Sequence, residues 1–133
     1  MVKKRRTMKA TGAQVQQFRV KALQYHKAMK LAYESKLWDA AVSNGVHAVI
    51  LMANAITGRQ SGEYYADEDH SQAPEYLKEV VGPDASKAKG QMAQVLDLKG
   101  LVEYEARGCT AKDAADVIKR VERFFSWADK QFP

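Results

Sequence analysis

Asp67, Asp69 and His70 sit close together in the sequence, and carboxylate with imidazole at Asp-x-Asp-His spacing is a donor set that can hold a divalent metal. The same stretch, residues 58–69, carries Glu63 and Glu68, two glycines and two tyrosines. A solvated acidic loop accounts for it better than a metal site does. The other histidines are isolated. His26 has no acid or cysteine three or four residues away, and His47 lies inside an apolar run, where a histidine satisfied in the core or at an interface is the usual case. No Glu-x-x-His pair is present, which disfavours a di-iron bundle. Cys109 follows Arg107 and precedes a helix start, two features that lower a thiol pKa. No base stands near it in sequence, so it reads as a loop cysteine. Gly-x-Gly-x-x-Gly and Walker patterns are absent. No cofactor is implied.

Charge gives a second set of candidates. The net charge of +5 comes from residues 1–9, which hold Lys3, Lys4, Arg5, Arg6 and Lys9 and no acid. The remaining 16 basic and 16 acidic residues cancel. A basic tail of this kind touches phosphate or anionic lipid, or simply solubilises the chain. A single cysteine cannot form an internal disulfide and fits a reducing, cytoplasmic setting. The longest unbroken apolar run, residues 48–53, is far below the ~20 residues of a membrane span.

The elements that must position these groups are helices. Residues 37–57 carry two apolar stripes at helical spacing. One runs Trp38, Ala41, Gly45, Ala48, Met52, Ala55; the other runs Val42, Val46, Val49, Ala53, Ile56. Apolar residues over so wide an arc mean contact with several neighbours, so this is the central helix of a bundle. A first helix over 13–35 is marked by Val15, Phe18, Ala22, Tyr25, Met29 and Ala32, with Thr11 as N-cap. Ser35 offers a cap for the central helix, and Gly58 a stop. A short helix is expected over 70–81 and a long fourth helix from 84 to about 106, weakened by Gly90 and Gly100. Thr110 and Asp113 form a capping-box-like start for the last helix, with Ala114, Val117, Val121, Phe124 and Ala128 inward. No alternating strand pattern is present. The expected fold is all-α: an up-and-down bundle of four long helices plus one short helix over 13–133, preceded by a disordered basic tail over 1–12.

The pattern resembles the HEPN domains, small α-helical bundles in which an alanine-rich helix follows a long first helix. The residues that carry the resemblance are Tyr33-Glu-Ser-Lys-Leu-Trp-Asp-Ala-Ala-Val42, His47 to Ile56, Leu98-Lys-Gly-Leu-Val-Glu-Tyr104 and Thr110-Ala-Lys-Asp-Ala-Ala115. It covers about residues 14–131. Active members of that family use an arginine followed within a few residues by a histidine, acting on RNA at a dimer interface. Arg59, Arg107, Arg120 and Arg123 have no histidine in that window, and at the matching place this chain has Lys99 and Tyr104. Lysine is a point charge rather than a bidentate fork, and tyrosine is a poor base at neutral pH.

The resemblance therefore implies the fold and a homodimer rather than the nuclease. The expectation is a non-catalytic interaction or ligand-binding module. One alternative is a diverged ribonuclease of a toxin–antitoxin type system, with a partner protein and with Lys99, Glu103 and Tyr104 at the site. The other is a nucleotide or nucleic-acid binder using Lys99, Tyr104, Arg107 and the tail residues Lys3, Lys4, Arg5 and Arg6. Tyr104, Trp127 and Phe132 are expected to supply apolar surface to the dimer.

Overall fold

A computed structural model describes residues 5–133, the side chain of Tyr104 excepted, so Lys3 and Lys4 lie outside the described residues. The chain forms an all-α bundle with a two-stranded ribbon at one end. The elements are β1 (Thr7–Lys9), α1 (Gly12–Glu34), α2 (Trp38–Ser61), β2 (Glu63–Tyr65), α3 (Ala73–Val81), α4 (Ser86–Leu96), α5 (Lys99–Tyr104) and α6 (Ala111–Asp129). Single 3₁₀ turns at His70–Gln72 and Pro83–Ala85 lead into α3 and α4.

The central helix is α2. Both of its apolar stripes are buried from Ala41 to Ile56, and only Trp38 remains partly open. It packs chiefly on α1 and α6, with α3, α4, α5 and β2 around it. By length and composition α2 would also cross a bilayer, but most of its apolar surface is already covered by these neighbours. Gly45 sits where α6 comes closest: a Cβ there would stand 2.7 Å from Val117 Cγ1. Val15, Ala22, Met29 and Ala32 of α1 and Ala114, Val117, Val121, Phe124, Phe125 and Ala128 of α6 complete the centre of the core.

The two capping boxes form as expected. Gln14 N–H donates to Thr11 Oγ1 at 3.1 Å, and Asp113 N–H donates to Thr110 Oγ1 at 3.1 Å. Each cap residue's own N–H is answered by the Gln14 or Asp113 side chain at 2.9 Å.

Five local expectations are corrected. The tail is not disordered over 5–12: β1 pairs antiparallel with β2, with Met8 opposite Tyr64. Ala10 N–H donates to Gly62 O and Ala66 N–H to Arg6 O, both at 2.9 Å. Arg5 forms a two-pronged ion pair with Glu79, so its charge is spent on holding the segment to α3. The central helix runs past Gly58 and stops at Gly62, which takes the left-handed conformation at φ 78°. Gly58 stays helical under Val15 and Ala10, each within 3.1 Å of where its Cβ would be. Ser35 closes α1 instead of opening α2; Lys36 turns the chain at φ 60°, and Leu37 holds the N-cap position without a side-chain bond. The long fourth helix is two helices, tightened at Asp97 and Leu98, where Leu98 N–H bonds Val95 O. Asp97 and Gly100 are poor helix formers, and they flank the break. Finally, the loop after α2 contains a strand.

Candidate functional site

Several polar side chains face a cleft of about 470 Å³ between α1, α2 and the starts of α5 and the His70 turn. Lys21, Gln24, Tyr25 and Ala28 line it from α1, where they fall at i, i+3, i+4 and i+7 and so share a face. Asn44, His47, Ile50 and Leu51 line it from α2. They lie outside both apolar stripes of that helix, two of them polar and two apolar. His70 and Lys99 stand at one end. The lining holds two lysines and two histidines and no acid. Tyr25 and His47 lie ring to ring at 5.1 Å.

His70 and Lys99 also line a second cleft of about 330 Å³, whose other walls include Glu68, Asp69 and Asp97. The two side chains therefore form a shared boundary, cationic on one side and acidic on the other. Asp69 fixes His70 in place: it caps the 3₁₀ turn by accepting the Ser71 N–H at 3.0 Å. Tyr65 O–H donates to the Asp69 carbonyl. The Nδ1 atom of His70 is buried and has no hydrogen-bond partner among the described residues. Burial holds the imidazole below its ordinary pKa, and Lys99 adds to the effect, while Asp69 and Glu103 oppose it. Burial and Lys99 both favour the neutral imidazole. Lys99 Nζ lies 3.6 Å from Glu103 one turn later on α5, so those two expected site residues do meet.

The remaining sequence candidates lie elsewhere. Arg107 sits 3.6 Å from Asp113 and donates to the Gly108 carbonyl, away from the Lys99 cleft. Asp67 accepts the Asp69 N–H at 3.1 Å, so the Asp-x-Asp-His run is knitted into turns. Among the described residues no three His, Cys, Asp or Glu side chains are grouped to hold a metal. Cys109 is buried, and its thiol is pushed up to about 12, first by burial and then by its hydrogen bond to Asp39 and that carboxylate's charge. Arg107 opposes this only weakly, so the expected lowering does not occur. Trp127 donates to Asp84 at 3.1 Å and Phe132 lies beneath two arginines, so neither is the open apolar surface expected of it. The exposed large apolar residues of α1 are Val20, Leu23, Tyr25 and Leu31, followed by Leu37.

His47, Tyr25 and Lys21 are the lining residues that sequence reasoning missed. Lys21 and His47 lie beside the apolar stripes of their helices, and Tyr25, expected inward as a member of the α1 stripe, is instead exposed. One arginine–histidine spacing was also passed over, Arg19 with His26 two turns later on α1. Their side chains have different partners within the chain. His26 stacks on Phe125 at 4.3 Å and pairs with Glu122 at 2.7 Å, whereas Arg19 lies over Phe132.

No curated protein and no solved structure gives a match to this chain. The family model described as HEPN domain matches residues 15–131, from the first buried turn of α1 to just beyond the end of α6. That span takes in every helix that walls the Lys99 cleft, and the chain belongs to the HEPN domain family.

Proposed function

We propose that this HEPN domain is a ligand-binding module that takes a phosphate-bearing ligand, a nucleotide or an RNA segment, in the cleft walled by Tyr25, His47, His70 and Lys99. The observation that carries the reading is the lining itself: two lysines and two histidines converge on one cleft that has no acid in its walls. The volume of about 470 Å³ falls in the range of small-molecule sites. Lys21 and Lys99 offer charge to phosphate. His70 and half-open Asn44 offer directional hydrogen bonds, and the Tyr25–His47 pair with Ile50 offers a flat apolar wall for a base. Lysine in place of arginine suits holding a phosphate over gripping it in a fork.

A second reading, RNA cleavage, is favoured by one observation. An imidazole whose lowered pKa favours the neutral form, lining one cleft with a lysine, is the pairing of a general base with a charge-stabilising cation. A homodimer is part of the proposal, and its support is the apolar outer face of α1, where Val20, Leu23 and Leu31 are all about half exposed.

Fluorescence anisotropy with a labelled RNA oligonucleotide and with a labelled nucleotide tests the first reading, and gel analysis of the same RNA tests the second. Lys99→Ala is expected to weaken binding and to leave the melting temperature unchanged. Intact RNA with lost binding supports the module; cleavage lost in both Lys99→Ala and His70→Gln supports the nuclease. Equal binding by wild type and Lys99→Ala contradicts both.

A further inference from the structure

A second cationic cleft lies on the other flank of the α1–α2 pair. It has a volume of about 500 Å³ and shares no lining residue with the Lys99 cleft. Arg19 of α1 and Arg59 of the last turn of α2 both approach the Phe132 ring, at 4.3 Å and 5.5 Å from its centroid. Gln16 and Gly12 line the same space, and no acid does. The chain end that carries Phe132 is tied to α2, because Gln60 Nε2 donates to Gln131 Oε1 at 3.0 Å.

Arg19 and Arg59 are set apart by sharing one aromatic ring, while Arg6 and Arg123 likewise have no carboxylate partner among the described residues. Arg5, Arg107 and Arg120 are each paired with a carboxylate. Arg19 and Arg59 have neither an ion pair nor a hydrogen bond among the described residues. Two guanidinium groups sharing one ring repel each other, and cation–π attraction offsets only part of that. What neutralises such a pair is one anion placed between two planar forks, and phosphate matches that geometry. At Gly12, which lines the cleft, a Cβ would meet nothing within 4 Å, so the approach there is open.

We propose that Arg19 and Arg59 form a phosphate-binding site, with Phe132 as the platform that holds both guanidinium groups in place. The inference stands apart from the reading of the Lys99 cleft. The phosphate is either a terminal monoester or a diester within an RNA strand, and the test separates the two.

Arginine side-chain N–H resonances of the full chain are followed by NMR during titration with inorganic phosphate, with adenosine monophosphate, and with an RNA oligonucleotide lacking terminal phosphates. Saturable shifts of Arg19 and Arg59, with Arg120 and Arg123 still, are expected. Saturation by the oligonucleotide assigns a diester, and saturation by the small phosphates alone assigns a terminal group. Arg59→Gln, exposed and so tolerated by the fold, should weaken the effective probe about tenfold, the scale of one lost charge-assisted contact. Arg59→Lys should fall between, because it keeps charge and loses the fork. Lys99→Ala should leave these shifts in place. Non-saturating movement of all arginines together, or unchanged affinity in Arg59→Gln, would overturn the proposal.

Discussion

Substituting Gly45 by alanine probes the contact on which the bundle closes. The added Cβ would stand 2.7 Å from Val117 Cγ1, 3.2 Å from Met29 Sδ and 3.3 Å from Val121 Cγ2. Real carbon contacts are rarely so short, so something must move. Met29 can give, because its thioether is flexible. Val117 cannot turn easily: it is fully buried, and a β-branched residue in a helix has essentially one favoured χ1. Overpacking of this kind costs roughly 1–3 kcal/mol, while replacing a helical glycine by alanine returns about 1 kcal/mol. The balance is a loss of about 1 kcal/mol, or roughly 3–5 °C in melting temperature for a domain of this size. Gly90→Ala is the matched control, since its Cβ would meet nothing within 4 Å and only the propensity gain applies. Thermal melts followed by circular dichroism should move in opposite directions for the two variants. Adding Val117→Ala to Gly45→Ala should show positive coupling, because the clash is then relieved. A Gly45→Ala protein that melts at or above the wild type would refute the close approach of α2 and α6.

Three further outcomes follow from the same structure. The lowered pKa of His70 means that the unfolded chain binds a proton before the folded one does, so the His70 contribution is complete above about pH 6.5 and is lost as pH falls from there through the folded-state value. Urea titrations across that window should show the slope reduced in His70→Gln, and identical slopes would contradict the assignment. Deleting residues 1–9 should lower the melting temperature. The deletion removes β1 and the Arg5–Glu79 pair, and its backbone hydrogen bonds are worth about 0.5–1.5 kcal/mol each. Cys109, 7% exposed with its thiol near 12, should resist iodoacetamide at pH 8 in the folded protein and react fully in guanidinium; rapid native labelling would show that the pocket around Asp39 opens.

Much of the bundle was legible because burial imposes a period. The two stripes of α2 read directly as a helix covered on most sides, and the Thr11 and Thr110 caps announced two helix starts through residue chemistry alone. The choice between Gly58 and Gly62 as the stop was not legible. It depends on Val15 and Ala10 arriving from another part of the chain to cover Gly58. A three-residue strand carries too little alternation to be seen, and Arg5 looked like surplus charge until Glu79 of α3 came opposite it. The Asp97 break was hidden because the apolar spacing of Met92, Val95 and Val102 continues across it.

The site was legible in parts and for mixed reasons. Lys99 stood out through the family resemblance and does line the cleft. His70 stood out for its acidic neighbours as a metal ligand, whereas the structure uses Asp69 to anchor its turn and leaves the imidazole beside Lys99. Tyr25 and His47 could not be joined from sequence, because the cleft draws on four separate stretches: 21–28, 44–51, 70 and 99. The basic tail drew attention by charge, yet Arg19 and Arg59, without an ion pair among the described residues, stand on separate helices and meet only through the fold.

The most direct test of the ligand-binding account uses the three histidines as reporters. Imidazole C–H resonances of His26, His47 and His70 are recorded while a 5′-phosphorylated ribonucleotide and then a short RNA are added. His47 and His70 line the proposed cleft, and His26 is held between Phe125 and Glu122 in separate surroundings. The account predicts saturable shifts of His47 and His70 with His26 unmoved, and their loss in Lys99→Ala. Shifts of all three together, or none at His47 and His70 at millimolar ligand, would contradict it.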